Sequence, residues 1–231
     1  MMLFEDPHKT EFFLEGASLL QFRNDVRVPG DGSNINFRSL VGANPGAAFR
    51  VVGVGRFDDD SGWRIVVAPL SVSGKGRFSS PRRFDGSTFA AGVDTRGEYR
   101  FDSYRVTYWR RFRSDSRSAW RFGYTLKVRD AEVKLQQPGV SERFRNTGFV
   151  PLLHFGGTRS VGPNTDIVLD FDGLVAPQGS ALDLGAFVRQ RLSARVGAFA
   201  GVRVLYGGAD NDDTFNLATF GYLTAGLSFR L

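Results

Sequence analysis

The chain has 231 residues, 42% hydrophobic and 23% charged, with 28 Gly, 22 Phe and no Cys. That length supports one sizeable core, aromatics spread along the chain exclude disorder, and the lack of Cys removes a disulfide scaffold, a thiolate metal site and a cysteine nucleophile. The net charge is +6, and Lys9, Lys75, Lys127 and Lys134 are the only lysines among 30 cations, leaving 26 arginines that recur singly; without a basic run, nucleic-acid binding is not expected.

Met1–Asp6 lacks the basic segment and apolar stretch of a secretory signal, so a leader is expected to have been removed or trimmed. Residues 1–9 read as a tail in which His8 is solvated, and 10–231 read as one domain. No stretch approaches the ~18 apolar residues of a spanning helix, whereas period-two alternation recurs throughout. In chain order, Phe12-Leu14-Leu20-Phe22 alternate with Glu11, Glu15, Gln21 and Arg23, and Phe49-Val51-Gly53-Gly55-Phe57 precede a turn at 58–62. Trp63-Ile65-Val67-Pro69 come next, with Val66, Leu70 and Val72 out of phase. Tyr104-Val106-Tyr108 and Trp120-Phe122-Tyr124-Leu126-Val128 flank the polar turn 114–117. The remaining runs are Phe149–Phe155, Ile167–Phe171, Leu182–Val188, Val196–Tyr206 and Phe215–Leu231, giving ten expected strands. The glycine pairs Gly53/Gly55 and Gly156/Gly157 read as strand glycines, not phosphate loops. Asp210–Asp213 is at most a weak surface cation site, lacking the Gly and distal Glu of an EF-hand loop.

Connectors alternate in length: long at 29–45 and 74–97, medium at 135–146 and 207–214, tight at 58–62, 114–117, 160–164, 176–180 and 193–194. Every even-numbered connector is tight, which places those turns and both chain ends on one side. This pattern predicts an all-β, antiparallel up-and-down transmembrane barrel of about ten strands with short periplasmic turns and longer outer loops. A soluble barrel around an apolar ligand has the same alternation with its faces exchanged. The arginine-rich, lysine-poor polar face and the rings at strand ends (Trp63, Tyr104, Tyr108, Trp120, Tyr206, Phe215, Phe229) favour the membrane form. The chain resembles the small monomeric outer-membrane β-barrels of Gram-negative bacteria over about 10–231. Its last strand, with Leu223, Leu227 and Phe229, is similar to their assembly signal, although it ends in Leu231 rather than an aromatic. The resemblance implies outer-membrane localisation, a monomer, contact with outer-membrane lipid and lipopolysaccharide, and handling by the barrel assembly machinery.

The polar face supplies an expected lumen ion network of Arg105, Arg111, Arg121, Asp166, Asp170, Asp183, Arg189 and Arg203, joined by Lys127, Arg129, Arg191, Glu11, Glu15 and Asp172. With Trp109, Phe187, Phe199 and Phe220 on the same face, a filled lumen and a structural or envelope-interaction role are expected. An alternative is a lipid- or peptide-modifying hydrolase: a turn at Gly162-Pro163 sets His154 across from Asp170 or Asp172, a His–Asp pair with no evident nucleophile, Thr125, Lys127 and Ser103 being the nearest groups. A soluble barrel holding an apolar ligand is the second alternative. In the second long loop, Lys75, Arg77, Arg82 and Arg83 accompany Phe78 and Phe84, a set expected to hold lipopolysaccharide phosphates with the rings against sugar or acyl groups. No cofactor or metal site is expected.

Overall fold

The computed structural model describes residues 10–43, 46–176, 179–210 and 214–231; the tail with His8 and residues 211–213 of the candidate cation loop lie outside them. The first half of the chain forms β1 (Glu11–Arg27), β2 (Ile35–Asn36), α1 (Phe37–Val41), β3 (Gly46–Arg56), β4 (Ser61–Ala68), β5 (Ser71–Arg77), β6 (Arg82–Phe84), β7 (Ser87–Phe89) and β8 (Asp94–Ser114). The second half forms β9 (Ser118–Gln137), β10 (Val140–Ser160), β11 (Thr165–Ala176), β12 (Gly179–Arg191), β13 (Val196–Asp210) and β14 (Phe215–Arg230).

Each wall strand pairs antiparallel with its neighbours, and β14 returns to pair with β1, closing the sheet. β4 and β5 pair with successive stretches of β8 and act as one wall strand, interrupted at Pro69, which has no N–H to give. The result is a closed ten-stranded antiparallel barrel. Among the described residues no helix is long and apolar enough to cross a membrane.

The tight-turn end is organised by side chains that accept backbone N–H groups. Asp58 takes the amides of Asp60 and Ser61 and the Ser61 hydroxyl, and Asp115 takes the amides of Arg117 and Ser118. These hydrogen bonds hold both carboxyls below the ordinary carboxylate range, the Ser61 hydroxyl contributing most at Asp58 and the Arg117 amide at Asp115. Ser193 accepts from Arg195 and Val196 in the same way.

The other end departs from the expected connectors. The segment 135–146 is no loop: β9 and β10 continue to a two-residue turn at Pro138-Gly139, where Gly139 takes φ +79°. Likewise β5 and β8 run on into the segment 74–97, leaving only 78–93 as connector. The reason is a change of face chemistry along continuous strands. Outward side chains change from Tyr104, Val128 and Phe149 to Asp102, Asp130 and Thr147, which are register partners across β8, β9 and β10. Beyond that level the inward side chains become apolar instead, with Tyr99, Val133 and Leu135 buried.

These inward rings form a second core at the loop end with Leu19, Val26, Phe220 and residues of both long loops. The first loop contributes Phe37 and Leu40 on α1, which is capped by Asn36 accepting the Ser39 amide at 2.7 Å. α1 rests on a platform of Gly74, Gly76 and Gly97; a Cβ on Gly76 would lie 2.2 Å from the Leu40 carbonyl oxygen. The second loop folds inward as the β6–β7 hairpin, burying Phe78, Phe84 and Phe89. Gln137 ties it to the β9 tip through both the N–H and C=O of Ala90.

Candidate functional site: the ion-paired interior

Alternation sends every second side chain of the wall strands into the lumen, and at mid-barrel these are arginines and carboxylates. Asp183 on β12 receives Arg203 at 2.5 Å, Arg105 at 2.6 Å and Arg50 at 2.9 Å. Asp172 on β11 receives Arg105 at 2.8 Å and Arg64 at 2.9 Å. Arg64 also donates to Asp170 at 2.9 Å, and Arg203 spans Asp170 and Glu15 at 3.3 and 3.4 Å. The guanidinium fork lets one cation bridge two carboxylates, so β1, β3, β4, β8, β11, β12 and β13 are tied across the lumen. Nearer the turn end Arg189 meets Asp166 at 3.2 Å and Glu11 at 3.7 Å, and Ser160 donates to Asp166 at 2.7 Å.

The expected residues thus separate into groups. Arg105, Asp170, Asp183 and Arg203 belong to the central network, and Asp166 and Arg189 to the lower pair. Arg121 contacts His154, whereas Arg111 lines a small cavity beside Trp109 and Trp120. Arg129 donates to Asn146. Two central members, Arg50 and Arg64, are absent from the sequence-based network. They share their faces with Val52, Val54, Val66 and Ala68, which pack with Trp109 inside the barrel, so those strands present no polar stripe. Val66, out of phase by pattern, is one of these lumen residues.

His154 is 0% exposed and pairs with Asp172, its Nδ1 lying 2.9 Å from the carboxylate. Its Nε2 lies 3.1 Å from Arg121 Nε. Since a guanidinium only donates, Nε2 is the acceptor and the ring proton sits on Nδ1, directed at Asp172. Both ring nitrogens are therefore engaged. Asp170 faces Arg64 and Arg203 instead of the imidazole. Thr125 donates to Asp172 at 3.1 Å, and the Ser103 hydroxyl accepts Arg105 Nε at 2.9 Å, so each hydroxyl is engaged by a group other than the imidazole.

The loop cations take a different form from that expected. Lys75 and Arg77 are exposed on β5, with Lys75 across from Arg96 and Arg77 donating to Asp94 at 2.5 Å. That bond holds the Asp94 carboxyl below its usual range. Arg82 and Arg83 sit on the β6–β7 hairpin, Arg83 lying 3.7 Å from Asp31. Phe78 and Phe84 are buried in the loop-end core and cannot touch an external acyl chain, which corrects that part of the expectation. Farther round the wall Arg145 bonds Asp130 at 2.8 Å and keeps its carboxyl low, while Arg143 stands 3.7 Å from Glu132.

No protein-family model and no curated protein sequence matches the chain. Among solved structures it is similar to the outer-membrane protease OmpT from Escherichia coli, at 8% identity, covering 97% of each chain with a TM-score of 0.65. It is also similar to Ail, the attachment invasion locus protein of Yersinia pestis, at 13% identity, covering 98% of this chain and 100% of that one with a TM-score of 0.45. The fold is that of the small outer-membrane β-barrels.

Proposed function

We propose that the protein resides in the bacterial outer membrane as a closed barrel, with an ion-paired plug and an outer lobe that engages anionic envelope lipid. The observation that carries this reading is the exchange of faces along β8, β9 and β10. Below the level of Asp102, Asp130 and Thr147 the wall shows apolar side chains outward, with Val106 59% and Tyr124 66% exposed, and buries charges inward. Above it the arrangement is that of a water-soluble sheet. A lipid phase meeting water at that level accounts for both halves.

The forks that fill mid-barrel support a closed lumen. Above the apolar belt Arg145 and then Arg143 stand outward, and Arg96, Lys75 and Arg77 follow farther out beside the β9–β10 apex, a ladder of cations suited to lipopolysaccharide phosphates. The purified protein should therefore migrate as a heat-modifiable band and require detergent. It should give no stepwise conductance in planar bilayers, and Lys75→Ser with Arg77→Ser should lower co-purified lipopolysaccharide. Monodispersity in detergent-free buffer overturns the membrane reading; porin-sized conductance steps overturn the plug. Unchanged lipopolysaccharide in the double variant removes the lipid contact.

A further inference from the structure

A seam in the wall lies between β10 and β11. β10 pairs with β9 along its full length, from Val140↔Gln137 to Arg159↔Ser118. With β11 it pairs only from Leu153↔Gly173 to Ser160↔Asp166. Above Leu153 the two strands part, although β11 continues to Ala176 in register with β12. Pro151 stands at the point of divergence. The side chains flanking it are Phe149 at 75% and Val175 at 84% exposure, apolar groups at the edge of the belt.

Behind the seam lies a cavity of about 470 Å³, within the ~300–1,000 Å³ typical of small-molecule sites. It is lined by Phe101, Val150, Pro151, Leu174, Leu205 and Phe220, with Lys127 and Arg129 at one side. Lys127 is 2% exposed. Its ammonium rests over the Phe101 ring at 4.7 Å, and among the described residues no carboxylate lies within salt-bridge distance of it. In the central cluster Arg50, Arg64, Arg105 and Arg203 each meet a carboxylate among Glu15, Asp170, Asp172 and Asp183, whereas Lys127 does not. Arg129 adds a buried Nε with no hydrogen-bond partner. Burying an ammonium without a counter-charge is costly, and an apolar chamber with cations on one side matches a ligand that is greasy and has an anionic head.

We propose that this chamber binds a single-chain amphiphile with an anionic head, specifically a long-chain carboxylate, which enters sideways through the β10–β11 seam and sets its head group on Lys127. The route of entry rests on the membrane reading above; the binding site does not. The ligand stays above the plug, so occupancy requires no open pore.

The test uses the full chain in neutral polyoxyethylene micelles, titrated with palmitate or with uncharged hexadecanol, with bound adducts counted by native mass spectrometry. Palmitate should add one per barrel, well ahead of hexadecanol. Lys127→Met keeps the stem and removes the charge; it should weaken palmitate about 10-fold or more, as loss of a charge-assisted bond implies, while leaving hexadecanol unchanged. Ala181→Phe, which fills the chamber from β12, should abolish both. Retention of the heat-modifiable band certifies that each variant is folded. Equal uptake of palmitate and hexadecanol, or undiminished palmitate binding in folded Lys127→Met, overturns the proposal. Uptake of 1-palmitoyl lysophosphatidylglycerol but not palmitate overturns the carboxylate assignment. A barrel that stays soluble without detergent yet binds palmitate refutes only the lateral route.

Discussion

Asp183 shows how much of the interior rests on one carboxylate. Three arginines from β3, β8 and β13 converge on it, so its removal takes a carboxylate from three buried cations at once. Breaking a buried pair from one side costs about 3–5 kcal/mol, and Asp183→Asn should lower the temperature at which the folded band is lost. His154→Ala should shift that temperature less, because Asp172 keeps Arg64, Arg105 and Thr125. An equal shift in the two variants would contradict this account. The His154–Asp172 pair was legible in sequence because a local hairpin fixes it: a short turn and strict alternation leave little freedom of register. Arg50 and Arg64 were not, since their partners are brought together only when the sheet closes. No local pattern distinguishes a cation aimed at a distant carboxylate from one that faces water.

Among the elements, α1 depends on the strand beneath it more than on its own five residues, too few to hold a helix unaided. The glycines of β5 and β8 let its backbone approach, and a side chain at Gly76 would collide with the Leu40 carbonyl. Gly76→Val should therefore undock α1 and free the backbone at Arg38, already exposed on the docked helix, for cleavage by trypsin while the wall stays resistant; an uncut first loop would argue against the platform. The glycines nearer the tight turns have a related use. Trp63 lies across Gly55 and Trp120 across Gly157, each a register pair in which a Cβ would fall within 2.5 Å of the indole. Such ring-over-glycine pairs pin strand register. Alternation marks these residues as strand glycines but gives no hint of the rings they accommodate, which are side-chain choices made across the sheet.

For the molecule as a whole, strand number, alternation and the placement of tight turns could be read from sequence because they depend on neighbours in the chain. The lengths of β8, β9 and β10 could not. Their upper halves keep the same parity with opposite chemistry, so a search for continued outward hydrophobicity stops at Tyr104, Val128 and Phe149 and assigns 74–97 and 135–146 to connectors. The seam between β10 and β11 was equally hidden, being a relation between two strands that are individually regular.

The long β9–β10 hairpin has a practical consequence. A crossing consumes ~9–11 residues, whereas β9 has 20 and β10 has 21, so on the membrane reading proposed above roughly half of the hairpin projects beyond the lipid. Its apex, Pro138-Gly139, is exposed and carries no ladder pairing, the kind of site that accepts foreign sequence. A short peptide tag inserted between these two residues should leave the barrel heat-modifiable and be stained by antibody on intact cells. Staining only after permeabilisation would reverse the assigned orientation. On that reading the hairpin is a mast of continuous strand, able to carry cargo clear of the membrane surface.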